Sequence, residues 1–200
     1  MNRQPAILPL FFLAFMVFCA ARIGYAAFLA IEPHDAIEAW ASGGGSAGRG
    51  GVEERMEEAH KLDPGNPLYL EDLVRLRSLR ASPGQNAEKQ ELEKALPEIR
   101  EAIRLRPVSP YSWSALLFVK SGLGEHDEEF SRALSNSNFL GPWEPEVQLV
   151  VADVGMANWA VLSYPQREEV RKAIVRGMER QREKMIGIVM ARKCVDSACR

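Results

Sequence analysis

Ala59-His60-Lys61-Leu62-Asp63-Pro64-Gly65-Asn66-Pro67 and Ala102-Ile103-Arg104-Leu105-Arg106-Pro107-Val108-Ser109-Pro110 are one pattern, Ala-x-x-Leu-x-Pro-x-x-Pro, written twice at an offset of 43 residues. Each copy is followed at equal distances by a large apolar residue and a leucine: Leu70 and Leu73, then Trp113 and Leu116. A fixed offset held over both stretches predicts two copies of one helix-turn-helix unit. The turn is chemical, because proline disfavours a helical predecessor and Gly65 and Asn66 favour sharp reversal. Such a unit offers a surface for holding partners rather than a pocket for chemistry.

Helical periodicity extends outward from both copies. Val52, Met56, Ala59 and Leu62 form an apolar stripe that ends at Asp63-Pro64. Pro67 to Arg80 is the partner helix, with Leu70, Leu73, Val74 and either Leu76 or Arg77 facing inward, and Ser82-Pro83-Gly84 closes it. Ala95, Ile99, Ala102 and Leu105 share the next face, and Pro97 marks a helix start or a kink. Pro110 to Ser121 repeats the partner helix with Trp113, Leu116, Leu117 and Lys120 inward, and Glu125 to Leu134 returns with Phe130, Ala133 and Leu134. Pro142 and Pro145 start a further helix over Glu146 to Leu162. A charged closing helix carries Val170, Ile174, Met178 or Gly177, Gln181, Met185 and Ile188 on one side. It is suited to cap the stack, with pairing to a second copy and lying on an anionic membrane as alternatives.

The 200-residue chain is 46% apolar and 26% charged, enough for one ordinary core and appendages. Ile7 to Ile31 is apolar except for Arg22, and its core run ILPLFFLAFMVFCAA suits a signal sequence, whereas the whole stretch is ample for a bilayer span. Arg22 at membrane depth costs about 2.5–3.5 kcal/mol, which the apolar sum exceeds. An uncleaved anchor is favoured over cleavage at Cys19-Ala20-Ala21 or Gly24-Tyr25-Ala26. Arg3 precedes the segment and Glu32, Asp35 and Glu38 follow it, so the domain lies outside the cytoplasm, which in a bacterium is the periplasm. The resulting division is an anchor over 1–31, a short helix from Pro33 to Ala41 and a glycine-rich linker over 32–51, a helical domain over 52–191 and a cysteine-containing tail over 192–200.

Charge and motifs exclude several functions. The basic excess is confined to the last helix and is interleaved with Glu168, Glu169, Glu179 and Glu183, which argues against nucleic acid. No HExxH, Walker loop or GxGxxG is present, and no catalytic residue, cofactor or metal site is expected. His126-Asp127-Glu128-Glu129 cannot converge on one ion, because neighbours on a helix point to different sides. Cys194 and Cys199 are a candidate disulfide, with free thiols as the alternative; Cys-x4-Cys without a nearby histidine is a poor zinc signature. Trp143 and Glu144 are the candidate contact for a glycan or partner, since an indole beside a carboxylate can cover a sugar face and accept its hydroxyls. The plainer role is structural: Trp143 packs over the next helix and Glu144 complements its dipole.

Ala95-x3-Ile99-x2-Ala102-x4-Pro107, Trp113-x2-Leu116 and Phe130-x2-Ala133 resemble the tetratricopeptide pattern. The resemblance covers about residues 52–135 and departs from the family in its period, the offset of 43 implying an insertion of about nine residues. It implies an all-α, right-handed superhelix of helix hairpins. More of the chain resembles the VpsP family of bacterial exopolysaccharide biosynthesis proteins. The residues that carry this likeness are the anchor, Trp40, LDPGNPLYLEDLVRLRSLRA, RPVSPYSWSALLFVK, GEHDEEFSRAL, LGPWEPEVQLVVADVGMANWAVL and the closing helix with its cysteines. That resemblance implies a non-enzymatic scaffold, anchored once in the bacterial inner membrane, whose partners are protein subunits of polymer synthesis and export. A polysaccharide and a second copy of the chain are further candidate partners. A glycan-binding module and a glycan-modifying enzyme using Glu144 as an acid are the alternatives.

Overall fold

Pro67, Pro110 and Pro145 each stand in the first turn of a helix, where a residue without an N–H sacrifices no hydrogen bond. The computed structural model describes residues 7–44, 51–81 and 86–192. Among the described residues there are nine α-helices and no strand: α1 Ile7–Ala41, α2 Val52–Leu62, α3 Pro67–Arg80, α4 Asn86–Leu105, α5 Pro110–Leu123, α6 Glu128–Leu140, α7 Pro145–Ala157, α8 Tyr164–Arg180 and α9 Arg182–Arg192. Successive helices pair as α1/α2, α3/α4, α5/α6 and α7/α8. The hairpins then stack through α1 on α3, α3 on α5 and α5 on α7, which makes the odd-numbered helices one continuous layer. The protein is thus an all-α stack of hairpins behind a long apolar helix.

The inward stripes are those expected. Val52, Met56, Ala59, Leu70, Leu73, Val74, Ile99, Ala102, Leu116, Leu117, Phe130, Ala133 and Leu134 are buried, and Trp113 and Trp159 pack at the margin of the core. A third copy of the turn was not recognised in the sequence. Pro142-x-x-Pro145 follows Pro107-x-x-Pro110 by 35 residues and occupies the same place between α6 and α7. Leu140 keeps the leucine of the motif, but Ser137 stands in place of its alanine, which hides the echo. Gly141 fits this turn for steric reasons, since a Cβ there would lie 2.7 Å from Pro110 Cβ and 3.1 Å from Ser137 O.

Four element boundaries differ from expectation. The segment from Pro33 to Ala41 is not a separate short helix: α1 runs through Pro33. Ala26, Leu29, Ala30, Pro33 and Ile37 are buried at steps of three and four, so one packed stripe crosses the proline and offsets its lost hydrogen bond. Helix α4 likewise continues through Pro97. The helix after Pro145 stops at Ala157 and gives way to a 3-10 turn, Trp159–Val161. The closing helix breaks at Gln181, which lets α9 fold back on α7 and α8, where Arg192 grips Asp153 at 2.6 and 2.8 Å. Helices α8 and α9 thus pack on α7 at the end of the described stack, the position that a cap occupies. The candidate disulfide of Cys194 and Cys199 lies outside the described residues, as do residues 45–50 of the linker and 82–85 of the expected insertion.

Two buried cations fasten successive hairpins, and they too are 43 residues apart. Arg77, 5% exposed at its side chain, donates to Glu98 on α4 through Nε and Nη2 at 2.8 Å each and to Glu53 on α2 at 2.6 Å. Lys120, 1% exposed, reaches Glu125 at 2.5 Å and Asp127 at 2.6 Å, with Glu129 at 3.4 Å. Gly124 makes this second cage reachable: its positive φ of 72° turns the chain so that Glu125 and Asp127 return over the end of α5. Asp127 also caps α6 by accepting from the Phe130 N–H at 3.0 Å. The equivalent position of the next hairpin is Gly155, over which Val170 packs.

Removing one side of a buried, hydrogen-bonded ion cage leaves unpaired charge inside and costs about 3–5 kcal/mol. R77M should therefore lower the denaturant midpoint sharply, and R77M/E98Q should recover part of the loss; an unchanged midpoint for R77M contradicts the role given to this cage. The cages also set an acid limb. Arg80 and Arg77 outweigh burial to hold Glu53 below the usual carboxylate range, Lys120 lowers Asp127, and Arg100 lowers Glu129. Folded pKa values below unfolded ones give stability that is present above the unfolded values and lost as pH falls through the folded ones. Asp72, raised by burial, acts in the opposite direction and offsets part of this. Thermal stability should fall between about pH 5 and pH 2, and K120M should flatten that fall.

Candidate functional site

The odd-numbered helices enclose a groove of about 610 Å³. Its floor is apolar, formed by Val74 and Leu79 of α3, Ala115 and Phe118 of α5, and Val147 and Val150 of α7. Alternation within each helix explains the division of labour. Helices α3 and α5 are apolar over more than one face because they touch their own hairpin partner, the next hairpin and the groove together.

Polar side chains pin the walls pairwise. His34 Nδ1 on α1 lies 2.9 Å from Asp72 Oδ2 on α3, and Arg75 of α3 donates to Glu38 of α1. Glu71 of α3 accepts from Arg106 Nη2 at 2.7 and 2.9 Å, from Ser109 Oγ at 3.1 Å and from the Ser112 hydroxyl, which ties it to the Pro107–Pro110 turn. The Tyr111 hydroxyl of α5 donates to Glu144 at the start of α7. That bond, with burial and the negative charge nearby adding to it, pushes the phenol up to about 12. Burial raises the Asp72 carboxyl above its usual range against the opposing bond from His34. Every wall-to-wall junction thus has a polar tie, and the floor between them is apolar.

Trp143 and Glu144 do not form a shared platform. The Glu144 carboxylate turns to Tyr111 on α5, whereas the Trp143 ring is exposed and has the Arg180 guanidinium 5.0 Å from its centroid. Glu144 is the N-cap residue of α7, yet its side chain accepts no N–H there. His126 parts from its acidic neighbours: its Nε2 meets Asn158 Oδ1 at 2.6 Å, whereas Asp127 and Glu129 both turn to Lys120, and Glu129 also takes Arg100 at 2.6 and 2.9 Å. Among the described residues no group of three or more His, Cys, Asp and Glu is placed to hold a metal ion.

The residues that wall the groove were missed in the sequence. His34 and Glu38 belong to a segment assigned to the linker region, and their partners Asp72 and Arg75 are distant in the chain, so no local spacing joins them. The one legible signal was the apolar stripe continuing from Ala26 through Pro33 to Ile37, which marks this segment as a packed helix. No family model, curated protein or solved structure matches this chain.

The Tyr111–Glu144 tie has a direct optical readout. Ultraviolet titration of E144Q should show one tyrosine ionising nearer the ordinary value of about 10, lower than in the parent; coincident titrations contradict the bond.

Proposed function

We propose that this protein is a non-enzymatic, membrane-anchored scaffold that holds a segment of a partner protein in the groove of α1, α3, α5 and α7. The observation that carries this reading is that α1 is both a helix long and apolar enough to cross a membrane and a wall of the groove. Whatever the groove holds is therefore held at the membrane, where the local concentration of other membrane proteins is high. An apolar floor bordered by Glu38, Arg75, Arg106 and Glu146 suits an amphipathic segment, with the floor supplying affinity and the rim register.

The setting comes from the sequence. The resemblance to VpsP-type proteins supports bacterial exopolysaccharide synthesis and export as the process, with protein subunits of that machinery as partners. The charge flanks support a single pass through the inner membrane with the stack in the periplasm. Continuity of α1 past Ala21 and Ala26 into its packed half supports an uncleaved anchor. A glycan-binding site or a glycan-modifying acid built on Trp143 and Glu144 lacks this support, because their side chains engage different helices.

A photoreactive residue in place of Ala115, in the full chain in native membranes, should capture a protein subunit of the polymer machinery, and F118E should abolish that adduct. Adducts with polysaccharide alone would favour the glycan-binding alternative, and absence of any adduct would overturn the scaffold reading. A companion test concerns where the folded unit begins. A fragment starting at Gly24 retains Ala26, Leu29, Ala30 and Ile37, whereas one starting at Val52 loses them. The shorter fragment should unfold at a lower denaturant concentration and be less stable by several kcal/mol, given about 1.5–3 kcal/mol per large buried apolar side chain; equal stability contradicts the packing of α1.

A further inference from the structure

The end of the stack that carries the Pro-x-x-Pro turns is where α1 leaves it. On α1 and α3 the pairs His34–Asp72 and Glu38–Arg75 advance together, so these helices run parallel. Glu71 with Ser112, and Tyr111 with Glu144, set α5 and α7 in the same direction. The starts of α3, α5 and α7 therefore lie at one end. The part of α1 that precedes Ala26, its first buried residue, projects beyond that end.

Length then fixes the distance to a bilayer. Residues 7–25 make a rod of about 28 Å at the helical rise, against a hydrocarbon thickness of about 30 Å. Almost no helix remains between the span and the stack, and α1 continues through the junction without a break. Three large apolar residues are exposed at this end: Val108 at 69% and Trp143 at 68% in the inter-helix turns, and Phe139 at 81% at the close of α6. Arg180 stacks on Trp143 there, the pairing of amphipathic ring and long cation that suits a headgroup layer. By contrast, Glu125, Asp127 and Glu128 crowd the opposite end.

We propose that the turn face bearing Val108, Phe139 and Trp143 lies in the headgroup region of the bilayer that α1 crosses, and that Trp143 is an interfacial anchor. This rests on the reading of α1 as a membrane span. It gives the exposed Trp143 an occupant that neither a glycan nor the groove supplies. It also fixes the groove's orientation: the odd helices stand on the membrane, and the groove opens beside it.

The test uses the full chain in phosphatidylethanolamine–phosphatidylglycerol vesicles whose acyl chains are brominated close to the headgroup. The parent's tryptophan fluorescence should be quenched, and W143F should lose most of the quenched signal. A tryptophan placed at the opposite end, V161W, should add fluorescence that the bromines do not reach. Resistance of the chain to alkaline extraction reports the span independently. Extraction-resistant protein in which W143F and the parent are quenched equally, or in which V161W is quenched as strongly as Trp143, overturns the proposed face alone. Release by alkali overturns the span and the face together.

Discussion

The packing of the second half of α1 onto α2 and α3 is the constraint on which the rest of the molecule depends. Ala26, Leu29, Ala30 and Ile37 enter the same core as Met56, Leu70 and Leu73, and three polar ties, Glu32–Arg55, His34–Asp72 and Glu38–Arg75, fix the rotation and register of the helix. The ties are half-exposed and contribute little energy individually; the buried alanines, Leu29 and Ile37 supply most of it. Small residues at 26 and 30 let α1 approach closely. Because the preceding turns of the same helix are apolar apart from Arg22, the candidate membrane span and the first wall of the groove are one continuous helix.

Beyond this junction the stack grows by repeating one solution with variations. Each Pro-x-x-Pro turn ends one hairpin and starts the next, and α3 and α5 each offer their last turn to nearby carboxylates. In two successive hairpins the residue there is a buried cation, Arg77 and then Lys120. A buried charge held by several carboxylates is poor evidence of net stabilisation but a strong constraint on register, because any slip strands the charge. In the third hairpin the constraint is steric instead, with Gly155 admitting Val170. The long α4 accounts for the uneven offset: its added turns bring Leu92 over Gly122 at the end of α5.

Most of the helices were legible because apolar stripes and proline turns are local signals. The repeated motif located α2 to α5, and Arg77 and Lys120 already stood on inward stripes in the sequence. What was not legible depends on contacts between distant segments. Pro33 looked like a helix start, and only the partners of Ala26 and Ile37 hold the helix straight through it. Gln181 sat on a continuous stripe, yet α9 folds back against α7 and buries Met185 against Gly177. At the candidate site, Trp143 and Glu144 are neighbours in sequence, but an N-cap geometry sends their side chains to different helices. Separations of about 37 residues join the groove's polar pairs, and no motif reports those.

A distance measurement across the junction is the most direct test of the rigid connection between anchor and stack. Spin labels at Phe12, within the apolar turns of α1, and at Lys89, on α4, in a chain lacking its native cysteines and reconstituted in lipid nanodiscs, would report it by pulsed electron resonance. One narrow distance distribution, unchanged between detergent and lipid, is the result that a continuous α1 requires. A broad distribution, or one that collapses to a new value in lipid, would show that the helix hinges near Pro33 and that the stack is tethered to the membrane rather than built onto its anchor.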